Sequence, residues 1–193
     1  RMKHYKMFVD GQWKDAEQKQ DVFDKFTGEK VATFAVSSKE DVDKAVSANL
    51  KSFKENKLTP SQRAAILKKA GELLLEEEDE IAQAICSEGG RLIGDARGEV
   101  TRSKAVFDLA AEEATRIAGE MVPVDGMAGN ENKMCFTLRV PLGVVCCITP
   151  FNVPLSLTVH KVLPAIAAGN TVILKPTSDT PGFALKLVEI LLK

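Results

Sequence analysis

Apolar and polar positions follow three different patterns along the chain. In the first 35 residues short apolar runs are broken by turn residues. Lys6-Met7-Phe8-Val9 leads into Asp10-Gly11 and then Gln12-Trp13. That order signals a hairpin, because a tight type I′ turn needs two central residues that tolerate positive φ. Phe26–Glu29 reads as a second turn before an apolar run over 30–34, so short strands are expected here. From 38 to 119 the apolar positions recur every three to four residues, the period of helices. Ser37-x-x-Glu40 reads as a capping box opening a helix whose face carries Val42, Ala45, Val46, Leu50 and Phe53. Thr59-Pro60-x-Gln62 opens a second, with Pro where its missing N–H costs nothing. Ile81, Ala84 and Ile85 mark a third, stopped by Gly89-Gly90. A fourth is predicted from Asp95 to Ile117, with Gly119 just past its end. The acidic run Glu76–Glu80 reads as a solvated face or a helix junction.

The pattern changes again after 120. Met121–Val124 and Met134–Leu138 read as two strands around the turn-rich stretch 125–130, an extended hairpin arm. Beyond 141 the grammar is strand, helix, strand, helix. Gly143–Thr149 is a continuous apolar run of strand length, expected for a strand buried on both faces. Pro154–Ala168 reads as an apolar helix ending at Gly169-Asn170, Thr171–Leu174 as a second strand and Pro181–Leu192 as a second helix. Short connections between such elements imply α/β architecture with a parallel, doubly wound sheet. Two strands cannot be covered on both faces by their own helices, so unmet apolar surface and self-association of the isolated chain are expected.

Composition narrows the function class. Lys plus Arg is 26 and Asp plus Glu is 27, a net charge of −1 that lacks the basic surplus of nucleic-acid binders. No apolar run approaches the ~18 residues of a membrane-spanning helix. Cys86, Cys135, Cys146 and Cys147 show no zinc-binding CxxC spacing and do not form a disulfide framework, which fits a reducing cytoplasm and no metal.

Ligands of open α/β sheets bind beyond the carboxyl ends of the strands, where two loops fall here: 149–154 and 175–180. Asn152 lies between two prolines on the first, with an amide able to donate to a developing oxyanion, or simply to bond loop backbone or cap the helix. Lys175 ends the second strand as a cation suited to phosphate or ribose hydroxyls, or as a solvated surface lysine. No GxGxxG and no GxxxxGK[ST] occurs. Cys147, Asn152 and His160 could be read as a cysteine hydrolase set. A thiol inside an apolar strand stays protonated, however, and a nucleophile needs an exposed elbow or helix N-terminus.

Arg139-x-Pro141-Leu142-Gly143-Val144-Val145, Ile148-Thr149-Pro150-Phe151-Asn152-Val153-Pro154 and Lys161-x-x-Pro164-Ala165-x-Ala167-Ala168-Gly169-Asn170-Thr171-Val172-x-x-Lys175-Pro176 closely resemble the aldehyde dehydrogenase superfamily. Phe8-Val9-Asp10-Gly11-x-Trp13, Thr27-Gly28-Glu29 and Ser38-x-Glu40-Asp41-Val42-Asp43-x-Ala45-Val46 resemble its amino-terminal strands and first helix more weakly. The resemblance implies an aldehyde dehydrogenase-like fold: strands and helices of the cofactor-binding domain over 1–120, an oligomerisation arm over 121–140, and the first half of a Rossmann-like dinucleotide-binding sheet over 141–193. It implies an NAD(P)-dependent oxidation of a small aldehyde by a homo-oligomer. In the family the catalytic cysteine, the general-base glutamate and the turn facing the cofactor pyrophosphate come later in sequence. The chain is therefore expected to be an amino-terminal fragment, inactive alone. A non-catalytic module that binds partners through the arm is the other alternative to be weighed.

Matched residue by residue, Asn152 takes the place of the family's oxyanion asparagine, and Ile148, Thr149, Pro150 and Phe151 that of the loop packing the nicotinamide ribose. Phe151 departs from the tryptophan common there. Lys175, with Thr177 and Ser178 following, matches the adenosine-ribose site, and Lys161 a lysine near the substrate funnel. Members preferring NAD commonly carry Glu where this chain has Ser178; a carboxylate would repel a 2′-phosphate, so Ser178 favours NADP, or dual use with NAD. His160 and Arg102 fall at funnel-lining positions, and Arg102, Val106 and Leu109 share one helical stripe. Together they suit an aldehyde with an anionic tail, as in relatives acting on lactaldehyde or phosphonoacetaldehyde. The alternative is a surface arginine paired with Glu99 or Asp108 and a satisfied histidine.

Overall fold

The computed structural model describes residues 2–55 and 57–193. The chain opens with β1 (Lys3–Tyr5), β2 (Met7–Val9), β3 (Gln12–Lys14), β4 (Lys19–Phe23) and β5 (Lys30–Ala35). β2 and β3 form the expected hairpin, with Asp10 at φ 53° and Gly11 at φ 72° in its turn. β5 pairs with β1 in parallel and with β4 antiparallel, in the order β1-β5-β4.

Four helices follow: α1 (Lys39–Glu55), α2 (Pro60–Glu76), α3 (Glu78–Gly89) and α4 (Ile93–Ala114). The first capping box sits one residue later than Ser37-x-x-Glu40. Ser38 Oγ accepts from the Asp41 N–H and the Asp41 carboxylate accepts from the Ser38 N–H, at 3.2 and 3.1 Å. An aspartate serves because the reciprocal bond needs a carboxylate at the third helical position, and Asp41 supplies it once Ser38 is the cap. Thr59 and Gln62 form the second capping box where the sequence places it. The acidic run is a junction: Glu77 both ends α2 and precedes α3. α4 ends at Ala114 rather than Ile117, capped by Thr115. Gly119 does not cap it. Its Cα lies against the Thr137 carbonyl, where any Cβ would overlap that backbone.

The arm region holds only β6 (Met121–Val122) and β7 (Cys135–Phe136), antiparallel, with one 3₁₀ turn at Val124–Gly126. β8 (Val144–Ile148), α5 (Pro154–Ala167), β9 (Thr171–Lys175) and α6 (Gly182–Leu191) complete the chain. β8 and β9 run parallel with Ile148 opposite Lys175.

One core joins the helical layer to these last elements. Leu67, Leu74, Ile81, Ile85 and Phe107 are buried with Leu155, Leu163, Phe183, Leu187 and Ile190. The interdigitated helices α2, α3 and α4 thus form the platform on which α5 and α6 sit. β8 is not buried on both faces. Cys147 faces the core, whereas Cys146 is exposed and Ile148 is 60% exposed. α1 packs at the start of the sheet, where Thr171 Oγ1 donates to the Asn49 carbonyl at 3.1 Å, and leaves Cys146 and Ile148 uncovered. The apolar face of α1 (Val42, Val46, Leu50) is likewise exposed. Among the described residues no helix is long and apolar enough to cross a membrane, and no cluster of three His, Cys, Asp or Glu side chains could hold a metal ion.

Candidate active site

Because β8 and β9 are parallel and in register at Ile148 and Lys175, their two following loops begin side by side. The Thr149 N–H donates to the Lys175 carbonyl at 3.2 Å and ties them together. The first loop presents Phe151, 59% exposed, and the exposed side chain of Asn152. The Asn152 amide makes no hydrogen bond among the described residues, and the residue capping α5 is Val153, which offers no side-chain cap. The alternative in which Asn152 caps its own helix is thereby removed. Its carbonyl is held instead, by a 2.7 Å bond from Arg91 Nη1.

Thr149 is buried, and its Oγ1 lacks a partner. Lys161, two turns into α5, reaches back and donates from Nζ to the Ile148 carbonyl at 2.7 Å. His160 beside it is exposed. On the second loop Lys175 is exposed and touches only the neighbouring Pro176 carbonyl, at 3.2 Å. Thr177 Oγ1 bonds Asp179, whose carboxylate also pairs with Lys25 at 3.2 Å, while Ser178 is exposed. The structure thus brings Ile148, Thr149, Pro150, Phe151, Asn152, Lys175, Thr177 and Ser178 to the carboxyl end of one short parallel sheet.

The stripe of Arg102, Val106 and Leu109 lies on the flank of α4, where only Val106 reaches the edge of the core. Arg102 and Leu109 are exposed, and the buried stripe is the neighbouring one through Ser103, Phe107 and Ala110. Neither ion pair weighed for Arg102 forms: Asp108 binds Lys104 at 2.6 Å, and Glu99 accepts from the Ser156 N–H at 2.9 Å. The hydrolase alternative loses its nucleophile. Burial pushes the Cys147 thiol up, away from the thiolate form, and the exposed thiol, Cys146, faces outward from the strand.

Two buried carboxyls take roles the sequence reading does not give them: Glu88 is not singled out there, and Glu99 enters only as a surface partner for Arg102. Glu88 on α3 is buried and accepts from the Tyr5 hydroxyl at 2.7 Å and from the Gly182 N–H at 2.8 Å, at the start of α6. Glu99 on α4 is fully buried at the start of α5. A signal for Glu99 existed: it stands three residues after Ala96 and four before Ser103, inside the stripe that faces the core.

The comparisons with known proteins agree over nearly the whole chain. A sequence model described as "Aldehyde dehydrogenase family" matches residues 13–193. A 3-sulfolactaldehyde dehydrogenase from Priestia aryabhattai is 46% identical over 190 residues, 98% of this chain and 40% of the relative. A lactaldehyde dehydrogenase from Methanococcus maripaludis is 38% identical over 96% of this chain and 38% of its own length. The crystal structure of aldehyde dehydrogenase 21 from Physcomitrella patens, in complex with the reaction product succinate, superposes with a TM-score of 0.95 at 38% identity. It is covered over 40% of its length by all of this chain. The chain thus spans about two-fifths of the proteins it matches. On the matched residues, the identities and the superposed fold, the chain belongs to the aldehyde dehydrogenase family.

Proposed function

We propose that these residues supply the cofactor-binding loops and the oxyanion-stabilising amide of an NAD(P)-dependent aldehyde dehydrogenase that oxidises a small, anionic aldehyde to the carboxylic acid. The observation that carries this reading is the pairing of an exposed, unbonded Asn152 amide with the exposed Lys175 ammonium at the ends of two adjacent parallel strands. In such a site Asn152 donates to the oxygen that becomes negative when the aldehyde carbon is attacked, which lowers the barrier only if the donor is already in place. Proline on either side and Arg91 on its carbonyl keep the loop from having to reorganise.

The site suits a nicotinamide dinucleotide. Ile148 and Phe151 offer exposed apolar surface for a ribose, the buried Thr149 hydroxyl has an unused valence, and Lys175 offers three donors with one weak partner. A bound nicotinamide dinucleotide would supply the hydride acceptor for the oxidation, and Lys175 and Thr177 would hold its adenosine ribose. Ser178, exposed and uncharged, leaves room for a 2′-phosphate and so favours NADP over NAD. The nucleophile and general base, which the family carries later in sequence, are supplied outside residues 1–193, so this segment alone does not turn over. The division into 1–120, an oligomer-building arm over 121–140 and a cofactor sheet over 141–193 belongs to the same proposal. It is supported for the arm by exposed Met121, Met134, Phe136 and Leu138.

The substrate class rests on Arg102 and His160, both exposed, and on the sulfonate-bearing substrate named for the Priestia relative. In the intact enzyme Arg102→Leu is expected to lower kcat/KM for sulfonate- and carboxylate-bearing aldehydes about tenfold, the low end for a lost charge-assisted contact at an exposed site. Neutral aldehydes of equal length should change less than twofold. Equal losses on both would remove the anionic-tail reading and leave the aldehyde dehydrogenase reading standing.

A further inference from the structure

We infer that Glu99 is a positioning residue: from the helical layer behind the sheet it fixes the α5 N-terminus, and through it the Asn152 loop. The inference rests on the oxyanion reading of Asn152 only for its catalytic consequence. The accounting of backbone donors at α5 carries it. A helix leaves its first N–H groups without internal partners. Here Pro154 has no N–H, the Leu155 N–H faces the Glu99 carboxyl, and the Leu157 N–H bonds the Val153 carbonyl at 3.0 Å. Val153, at the cap, has no side-chain acceptor. The Ser156 N–H is taken by Glu99 Oε1 at 2.9 Å, from a residue 57 positions earlier in the chain. The cap that the loop's own sequence omits is therefore delivered from α4. It is delivered as a carboxyl oxygen at the positive end of a helix, where an acceptor is favoured.

Three further observations favour a positioning role over simple packing. Glu99 is fully buried, yet its Oε2 has no partner among the described residues. A leucine would fill the same space without desolvating a carboxyl, so the gain from Glu99 lies in what Oε1 holds. The loop is gripped at a second point, by Arg91 Nη1 on the Asn152 carbonyl. Arg91 and Glu99 thus grip the loop from opposite ends, Asn152 and Ser156, and leave the Asn152 side chain as the part that projects. Ser103 Oγ, one turn along α4, lies 3.5 Å from Ser156 Oγ and keeps the α4–α5 contact in register.

The test compares Glu99→Leu, Glu99→Gln, Arg91→Met and Asn152→Ala in the intact enzyme, by hydrogen exchange and by steady-state kinetics. Glu99→Leu should speed exchange of the Ser156 amide and of residues 149–153 at least tenfold. It should lower kcat about tenfold and leave the Kd for the dinucleotide within twofold. Glu99→Gln, whose amide oxygen still accepts from Ser156, should keep most of both properties. In an Asn152→Ala background Glu99→Leu should lower kcat by less than a further twofold, because it acts through the missing amide. Additive losses, or Ser156 exchange unchanged in Glu99→Leu, overturn the inference. If Glu99→Leu does not fold, Arg91→Met, at a half-exposed residue, probes the second grip. Faster exchange of 149–153 with lower kcat supports the inference, and unchanged exchange overturns it. Should Asn152→Ala leave kcat unchanged, the oxyanion reading fails, while the exchange data still decide whether Glu99 holds the loop.

Discussion

The two strand–loop–helix units at the end of the chain share a plan and differ in how completely it is satisfied. In each, a parallel strand delivers a loop at its carboxyl end and a helix follows whose first turn is capped by a glutamate from the helical layer: Glu99 for α5, Glu88 for α6. Glu88 uses both oxygens, one on the Gly182 N–H and one on the Tyr5 hydroxyl, and so ties β1 to the second unit. Glu99 uses one oxygen and leaves the other without a donor. The start of the second helix is closed by contacts within the fold, although the buried Thr180 hydroxyl just before it has no partner among the described residues. The first keeps its unused polar capacity at Glu99, Thr149 and the Asn152 amide. Each loop carries one buried hydroxyl without a partner among the described residues, Thr149 and Thr180, so what sets the first apart is the open carboxyl oxygen of Glu99 and the projecting Asn152 amide.

The sharpest way to break this contrast is to remove the projecting amide. Asn152→Ala in the intact enzyme is expected to lower kcat about 10²–10³-fold, about 2.7–4 kcal/mol, the usual cost of losing one oxyanion donor. The melting temperature should stay put, since the exposed side chain bonds nothing in the fold. A loss of cofactor binding in place of turnover would move Asn152 out of the oxyanion role.

The closed unit should fail by losing stability. A Cβ on Gly182 would overlap Glu88 Oε1 and the Tyr5 hydroxyl, both held in place by their own bond. Gly182→Ala is therefore expected to destabilise by about 1–3 kcal/mol, as overpacking does. Tyr5→Phe, which strips Glu88 of one donor, should cost a similar amount. Urea unfolding of both variants checks this, and stability within 0.5 kcal/mol of the parent would mean that the α6 end repacks freely.

How far the chain could be read without its structure follows the same divide. The periodic segments were legible: the Thr59 capping box, the Asp10-Gly11 turn and the β8–α5–β9–α6 alternation lie where local pattern puts them, because each is decided by neighbours in sequence. The Ser38–Asp41 cap and the end of α4 moved by one to three residues, since two adjacent serines both suit a cap and nothing local fixes the last turn. The site loops were legible as loops. The groups that hold them, Arg91, Glu99 and Glu88, come from 50 to 100 positions away in sequence, and the bonds they form exist only once α3 and α4 pack under α5 and α6. Burial of β8 on both faces was overestimated for a related reason: an apolar run states a preference for cover but does not say what provides it.

Cofactor binding offers a finer test of the second loop. Lys175→Met removes an exposed ammonium with one weak internal contact, so the Kd for NADP should rise by about tenfold with kcat nearly unchanged. Ser178→Glu should weaken NADP more than NAD, because its carboxylate repels a 2′-phosphate. If Ser178→Glu weakens both dinucleotides alike, the preference is set elsewhere.

The pH dependence of stability carries the smallest signal. Burial pushes the Glu88 and Glu99 carboxyls above the usual glutamate range; the Gly182 and Tyr5 donors oppose it at Glu88, and the Ser156 and Leu155 amides do so at Glu99. A carboxyl raised in the fold holds its proton in the native state over a window that begins at the ordinary value and ends at the raised one. Within that window the native chain binds more protons than the unfolded chain, so stability falls as pH rises. The contribution is complete below the ordinary glutamate value and is lost as pH climbs through the folded one. Asp41 and Asp15 act in the opposite sense. Lys14 for the half-buried Asp41, and the Ala16 amide for the exposed Asp15, hold these carboxyls down at about 2. Their screened contribution is present above the ordinary aspartate value and is lost as pH falls toward 2. Stability should therefore peak near the ordinary carboxyl range and decline gently on both sides. Glu99→Gln and Glu88→Gln should each flatten the decline on the alkaline side. Lys14→Met should steepen nothing above pH 5 and should remove part of the acid limb. Urea midpoints from pH 3 to pH 8 read all three, and an alkaline limb that Glu99→Gln leaves unchanged would place the buried proton on another group.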